Sequence, residues 1–167
     1  TTSTEYSDAA LAKTEIHAKQ INGTSIIVEY KIRVTNVGEV EGYAKKIVDY
    51  ISTDYSFSSQ INPDWYKTGN YLYNASLANE KIQPGESKEV KLIVTKTMTE
   101  NNTGLINNTA EIAESYNEQG LKDKNSTEAN NVKGENDQGS ADLIITIKTG
   151  EKISYILIVI AIILSIT

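Results

Sequence analysis

Over 24–36 the side chains alternate with a period of two. Ile26, Val28, Tyr30, Ile32 and Val34 are set against Ile27, Glu29, Lys31, Arg33 and Thr35. An extended chain points successive side chains to opposite faces, so this pattern predicts a strand with one buried face. Asn22-Gly23 just before it is a hairpin-turn signal and predicts an earlier strand over 12–21. Further strands are expected over 43–51, where Ile47 and Val48 are β-branched, and over 71–77. A third follows the Gln83-Pro84-Gly85-Glu86 turn, where Val90, Leu92 and Val94 alternate with Glu89, Lys91, Ile93 and Thr95. Two more are expected over 105–113 and 141–148. The segment 52–70 reads as irregular. No stretch of the body shows a 3.6-residue period. About seven strands separated by turn signals imply an all-β fold, a β-sandwich.

Composition narrows what such a body can do. Acidic residues number 22 and basic residues 16, a net charge of −6, which argues against nucleic acid as a partner. With no cysteine, disulfide staples, zinc-thiolate sites and cysteine nucleophiles are excluded. His17 stands alone, so a multi-histidine metal centre is excluded as well. No pair of carboxylates is marked as acid and base, so the chain reads as non-enzymatic.

The two ends differ from the body. The chain starts at Thr1 without methionine or signal peptide, which is expected of a fragment or a processed product. ISYILIVIAIILSI, over 153–166, carries no charge. As a helix it would reach ~21 Å, short of the ~30 Å hydrocarbon core. A buried helix or strand is one reading. A C-terminal membrane anchor cut short, with Ile153, Tyr155, Leu157, Val159, Ile162 and Leu164 against the lipid bilayer, is the favoured one. Lys148-Thr149-Gly150 lacks the Leu and Pro of a sortase signal, so plain membrane attachment is expected over wall attachment. The expected organisation is a flank over 1–10, a sandwich domain over 11–149 and the anchor over 150–167. Within the domain, 114–140 is a long loop with six acids against three lysines. A loop of that length in a compact domain is usually functional or disordered.

Four elements in order resemble a large family of bacterial surface repeats catalogued as domain of unknown function number eleven. The first is Tyr-x-Ile-x-Val-x-Asn-x-Gly at Tyr30, Ile32, Val34, Asn36 and Gly38. Asp49 and Ile51 match an Asp-x-Leu-Pro element, with Ser52 in place of its proline. Pro84-Gly85-Glu86-Ser87 is a shared turn, and Asn108, Ala110 and Ile112 match Asn-x-Ala-x-Val. The likeness covers about 24–148. It implies an immunoglobulin-like sandwich on a secreted or surface-anchored bacterial protein, beside neighbouring domains of the same protein, and no known enzymatic activity. The expected role is a structural stalk at the cell surface. An adhesin domain binding a host or matrix ligand is the alternative.

Three groups are candidate sites. Asn108 falls on the core-facing parity of its strand, and a buried amide needs partners. One reading is a self-formed isopeptide cross-link, with Lys13 or Lys19 as the amine and Asp49 as the buried carboxyl. The other is an asparagine hydrogen-bonded to a neighbouring loop. In the acidic loop, Asp123, Asn125, Asn130, Glu135 and Asp137 offer the oxygen ligands that calcium prefers, against a simply solvated loop. Trp65, Tyr66, Tyr71 and Tyr73 read either as an aromatic binding platform or as a plug at the sandwich end.

Overall fold

The computed structural model describes residues 9–20, 25–97, 104–123, 126–148 and 154–156, with side chains over 25–97, 104–123 and 126–144. Ten strands are present: β1 (Ala9–Gln20), β2 (Ser25–Asn36), β3 (Tyr43–Asp49), β4 (Tyr55–Phe57), β5 (Trp65–Thr68), β6 (Tyr71–Asn74), β7 (Ser87–Thr97), β8 (Gly104–Tyr116), β9 (Gln138–Lys148) and β10 (Ser154–Ile156). No helix occurs among the described residues. One sheet has the order β1-β2-β7-β4 and the other β10-β9-β8-β3-β6-β5. All the pairings are antiparallel.

The two-residue period of β2 does what it implies. Every second residue from Ile26 to Asn36 is buried. Ile26, Val28, Tyr30, Ile32 and Val34 meet Ile47, Leu72, Ile112 and Leu143 of the opposite sheet in one core. Each such aliphatic side chain contributes roughly 1.5–3 kcal/mol on burial. The long strands share two poles. Asn36, Tyr43, Ser87, Tyr116 and Gln138 mark one, and Gln20, Ser25, Thr97, Gly104 and Lys148 the other. Strands of about twelve residues at ~3.3 Å per residue make the body roughly 40 Å long.

Without disulfides, buried asparagines fasten the loops. Asn36 Nδ2 donates to the carbonyls of Val40 (2.7 Å) and Ile82 (2.9 Å), while its Oδ1 accepts from Gly38 N at 3.0 Å. Its backbone is tied to the Pro84 turn through Glu86 O and Gly85 N. Gly85 has φ +79°, a conformation that L side chains avoid. Asn62 likewise bridges Ser58 O and both backbone groups of Ile93, and Asn117 closes on Leu121.

The segment 52–70, expected to be irregular, holds β4 and β5 instead. Three- and four-residue strands are too short to display a period. The apolar tail also differs where it is described. Ser154–Ile156 is a strand against β9, with Tyr155 opposite Ile147. A short uncharged run does not distinguish strand from helix. Ile153, Leu157, Val159, Ile162 and Leu164 lie outside the described residues. No helix among the described residues is long and apolar enough to cross a membrane.

Candidate functional site

Two groups of buried polar side chains stand out, on opposite faces of the β3–β8 pair. The first joins the end of β3 to β8. Asn108 Nδ2 donates to Asp49 Oδ2 at 2.8 Å, and both residues are buried. Asp49 Oδ1 and Asn108 Oδ1 have no hydrogen-bond partner. Burial disfavours the charged carboxylate and pushes Asp49 up to about 7, with the Asn108 hydrogen bond pulling the other way. Beside this pair, the hydroxyls of Tyr30 and Tyr55 share a 2.9 Å hydrogen bond, with the rings edge-on. Burial raises Tyr55 to about 12 and Tyr30 further. Lys96 on β7 is buried as well. It ion-pairs with Asp54 and sits 4.5 Å from the centre of the Tyr55 ring. Burial pushes Asp54 up, but hydrogen bonds from Lys96 and Ser52 outweigh it and leave the carboxyl below its usual range.

The Asp49–Asn108 half of the expected cross-link is therefore assembled. Lys13 and Lys19 lie on β1 opposite Arg33 and Ile27, the half-buried outward positions of β2. Among the described residues, Lys96 is the buried lysine. Its parity with Val90, Leu92 and Val94 made it legible in the sequence. The Tyr30–Tyr55 bond and Asp54 carried no local signal.

The second group belongs to the acidic loop. Glu111 of β8 is fully buried although it lies on the outward face of its strand. Glu111 Oε1 accepts from Asn130 N, and Oε2 from Asn131 N, both at 2.9 Å; Oε2 also accepts from Tyr50 Oη at 2.6 Å. The loop thus lies across the sheet. Ala129 and Asn131 on either side of this contact have positive φ (57° and 54°), a strained backbone for non-glycine residues. Glu135 Oε2 accepts from Thr127 N and Asn130 Nδ2, each at 3.0 Å, and Asp123 accepts from Ser126. Asp137 is 2% exposed and neither carboxylate oxygen has a hydrogen-bond partner. Burial pushes it up to about 7, reinforced by the charges of Glu111, Glu135 and Asp123.

Four of the five expected calcium ligands thus fall in one described loop, and Asn125 lies outside the described residues. Among the described residues, no three acidic or histidine side chains converge as a ready-made chelate. Glu111 was missed by sequence reasoning, since its outward parity reads as solvated and nothing in β8 reports that a loop 20 residues on will cover it.

The aromatic group divides. Trp65 is buried and donates Nε1 to Lys91 O at 2.7 Å, so it is a plug of the core. Tyr66 is exposed and stacks on Tyr73, and Tyr71 meets the edge of Tyr50. Among the protein families, curated proteins and solved structures searched, none matches this chain.

Proposed function

We propose that this chain is a non-enzymatic, immunoglobulin-like spacer module of a membrane-anchored bacterial surface protein, with its β-body outside the cell. The strand order supports the immunoglobulin-like reading. β1-β2-β7-β4 parallels the A-B-E-D sheet of that fold, and β3-β8-β9 parallels C-F-G, with the β5–β6 hairpin added beside β3. The four sequence elements shared with the surface-repeat family support it too, because two of them meet in space: Asn36 of the first element is hydrogen-bonded to the Pro84-Gly85-Glu86 turn.

The observation that carries the spacer role is the direction of β1 and β9. Both run from the Asn36 pole to the Thr97 pole, so β1 begins at one end of the body and β9 ends at the other, roughly 40 Å away, before the short β10 turns back along β9. A module strung between a membrane and a distal part needs that geometry. The second reading, an adhesin, is favoured by the exposed Tyr66 stacked on Tyr73. Two measurements on the full chain test the proposal. Surface labelling of intact cells is expected to reach the β-body, and glycan and matrix arrays are expected to show no saturable binding. Saturable binding abolished by Tyr66→Ala replaces the spacer with the adhesin. Failure of surface labelling, with the protein present inside the cell, overturns both.

A further inference from the structure

We propose that the acidic loop between β8 and β9 is a calcium site centred on Asp137, completed by Glu135 and by amide and backbone oxygens of the loop, with Glu111 as the buried carboxylate that holds the loop over the sheet. The inference holds for a spacer and an adhesin alike.

The argument begins with Asp137. A carboxylate taken out of water costs several kcal/mol unless it is paired. Asp137 is buried, lacks a hydrogen-bond partner on either oxygen, and is surrounded by charges of its own sign. Asn36 and Asn62 have their buried side chains fully partnered, and Asp49 and Asn108 each leave one oxygen without a hydrogen bond, whereas Asp137 leaves both. A buried carboxylate with neither oxygen hydrogen-bonded, in a region so rich in donors and acceptors, marks a group whose partner is not part of the chain.

The partner must be a cation, and the chemistry of the surroundings selects its class. Every nearby ligand is a hard oxygen, from Asp137, Glu135, Asn130 and the loop carbonyls. There is no thiol in the chain, and the single histidine lies on β1. Six to eight oxygens on a loop of irregular shape suit calcium, whereas magnesium demands a tight octahedron and keeps its waters. Glu135 accepts from Thr127 and Asn130, both within the same loop. These are short-range bonds that a cation can replace without unfolding the sheet. Glu111 is different: its two oxygens are committed to Asn130, Asn131 and Tyr50. It anchors the loop and leaves Asp137 to receive the ion.

The test is a calcium titration of the full chain after EDTA treatment, read by calorimetry and thermal melting at pH 7.5. Calcium at a hundred times its dissociation constant is expected to raise Tm by roughly 5–10 °C. Asp137→Asn is expected to abolish the heat and the shift. In EDTA the same variant is expected to melt at or above the wild-type temperature, because it removes a buried charge among like charges, so loss of response is separable from loss of fold. No heat and no shift in the wild type overturns the site, as does a wild-type response retained in Asp137→Asn. An equal shift with magnesium overturns the assignment to calcium.

Discussion

Asp49 and Asp137 are both buried carboxyls pushed up to about 7, yet they sit in different company. Asp49 stands in the core between the sheets, touched by one amide and raised by burial alone. Asp137 lies beneath the acidic loop, touched by no donor and raised by three further carboxylates as well as by burial. The same shift has two physical remedies. A proton suffices for Asp49, because neutralising one group removes the whole penalty. At Asp137 a proton leaves the neighbouring negative charges in place, and a divalent cation answers all of them together.

The largest expected effect concerns pH. A folded-state pKa raised from 3.8 to about 7 means that the native state binds its proton more tightly than the unfolded chain. Stability from Asp49 is therefore complete below about 4, falls as pH climbs toward about 7, and is flat above. At 1.36 kcal/mol per unit the ceiling is on the order of 4 kcal/mol. Asp54, held below its usual range, acts in the opposite sense and only at more acid pH, losing its contribution as pH falls below about 4. Urea melts in EDTA are expected to show greatest stability near pH 4–5, and Asp49→Asn and Asp137→Asn are each expected to remove about half of the decline above it. A decline that persists in Asp49→Asn but vanishes in Asp137→Asn would reverse the comparison.

Asn108→Ala comes next. It removes the hydrogen bond to Asp49 and leaves a gap in the core, with an expected cost of about 3 kcal/mol by denaturant melting at pH 7. The same pair answers the cross-link question. An intact mass equal to that of the sequence leaves Asn108 as a hydrogen-bonded amide, whereas loss of one ammonia would show that a lysine had attacked it. Asn36→Ala is expected to cost about 2 kcal/mol, since it orphans the carbonyls of Val40 and Ile82 near the acidic-loop pole. Calcium is expected to leave that loss unchanged. Rescue by calcium would mean that Asn36 and the acidic loop form one unit.

How much of this was legible in the sequence depends on the range of the interaction. β2 and β7 could be read because their period runs over many residues and their inner face is buried throughout. β4 and β5 could not, because three or four residues carry no period and their pairing is decided by β7 and β6. The orphan at Asp137 was legible in type but not in number. Clustered acids mark a loop with oxygen ligands, yet which acid loses its water depends on how Glu111 draws the loop down. Asp49 and Asn108 were paired from a shared inward parity on two strands, which is information that alternation preserves. The matching lysine was sought on β1, at positions in register with Arg33 and Ile27 of β2.

The smallest effect completes the contrast between charge inside and outside. Arg33 donates from Nε (2.9 Å) and Nη2 (2.6 Å) to Glu89 Oε1 across the β2–β7 ladder, with more than a third of each side chain exposed. Water already satisfies both groups in the unfolded chain, so their pairing gains little. A double-mutant cycle with Arg33→Ala and Glu89→Ala is expected to give a coupling of about 0.5 kcal/mol, shrinking in 1 M salt as screening shortens the reach of the charges. The geometry is as good as any ion pair in the body, so only solvent access separates it from the buried groups. A coupling above about 2 kcal/mol would mean that burial is not what makes Asp49 and Asp137 costly, and the distinction between proton and cation would lose its footing.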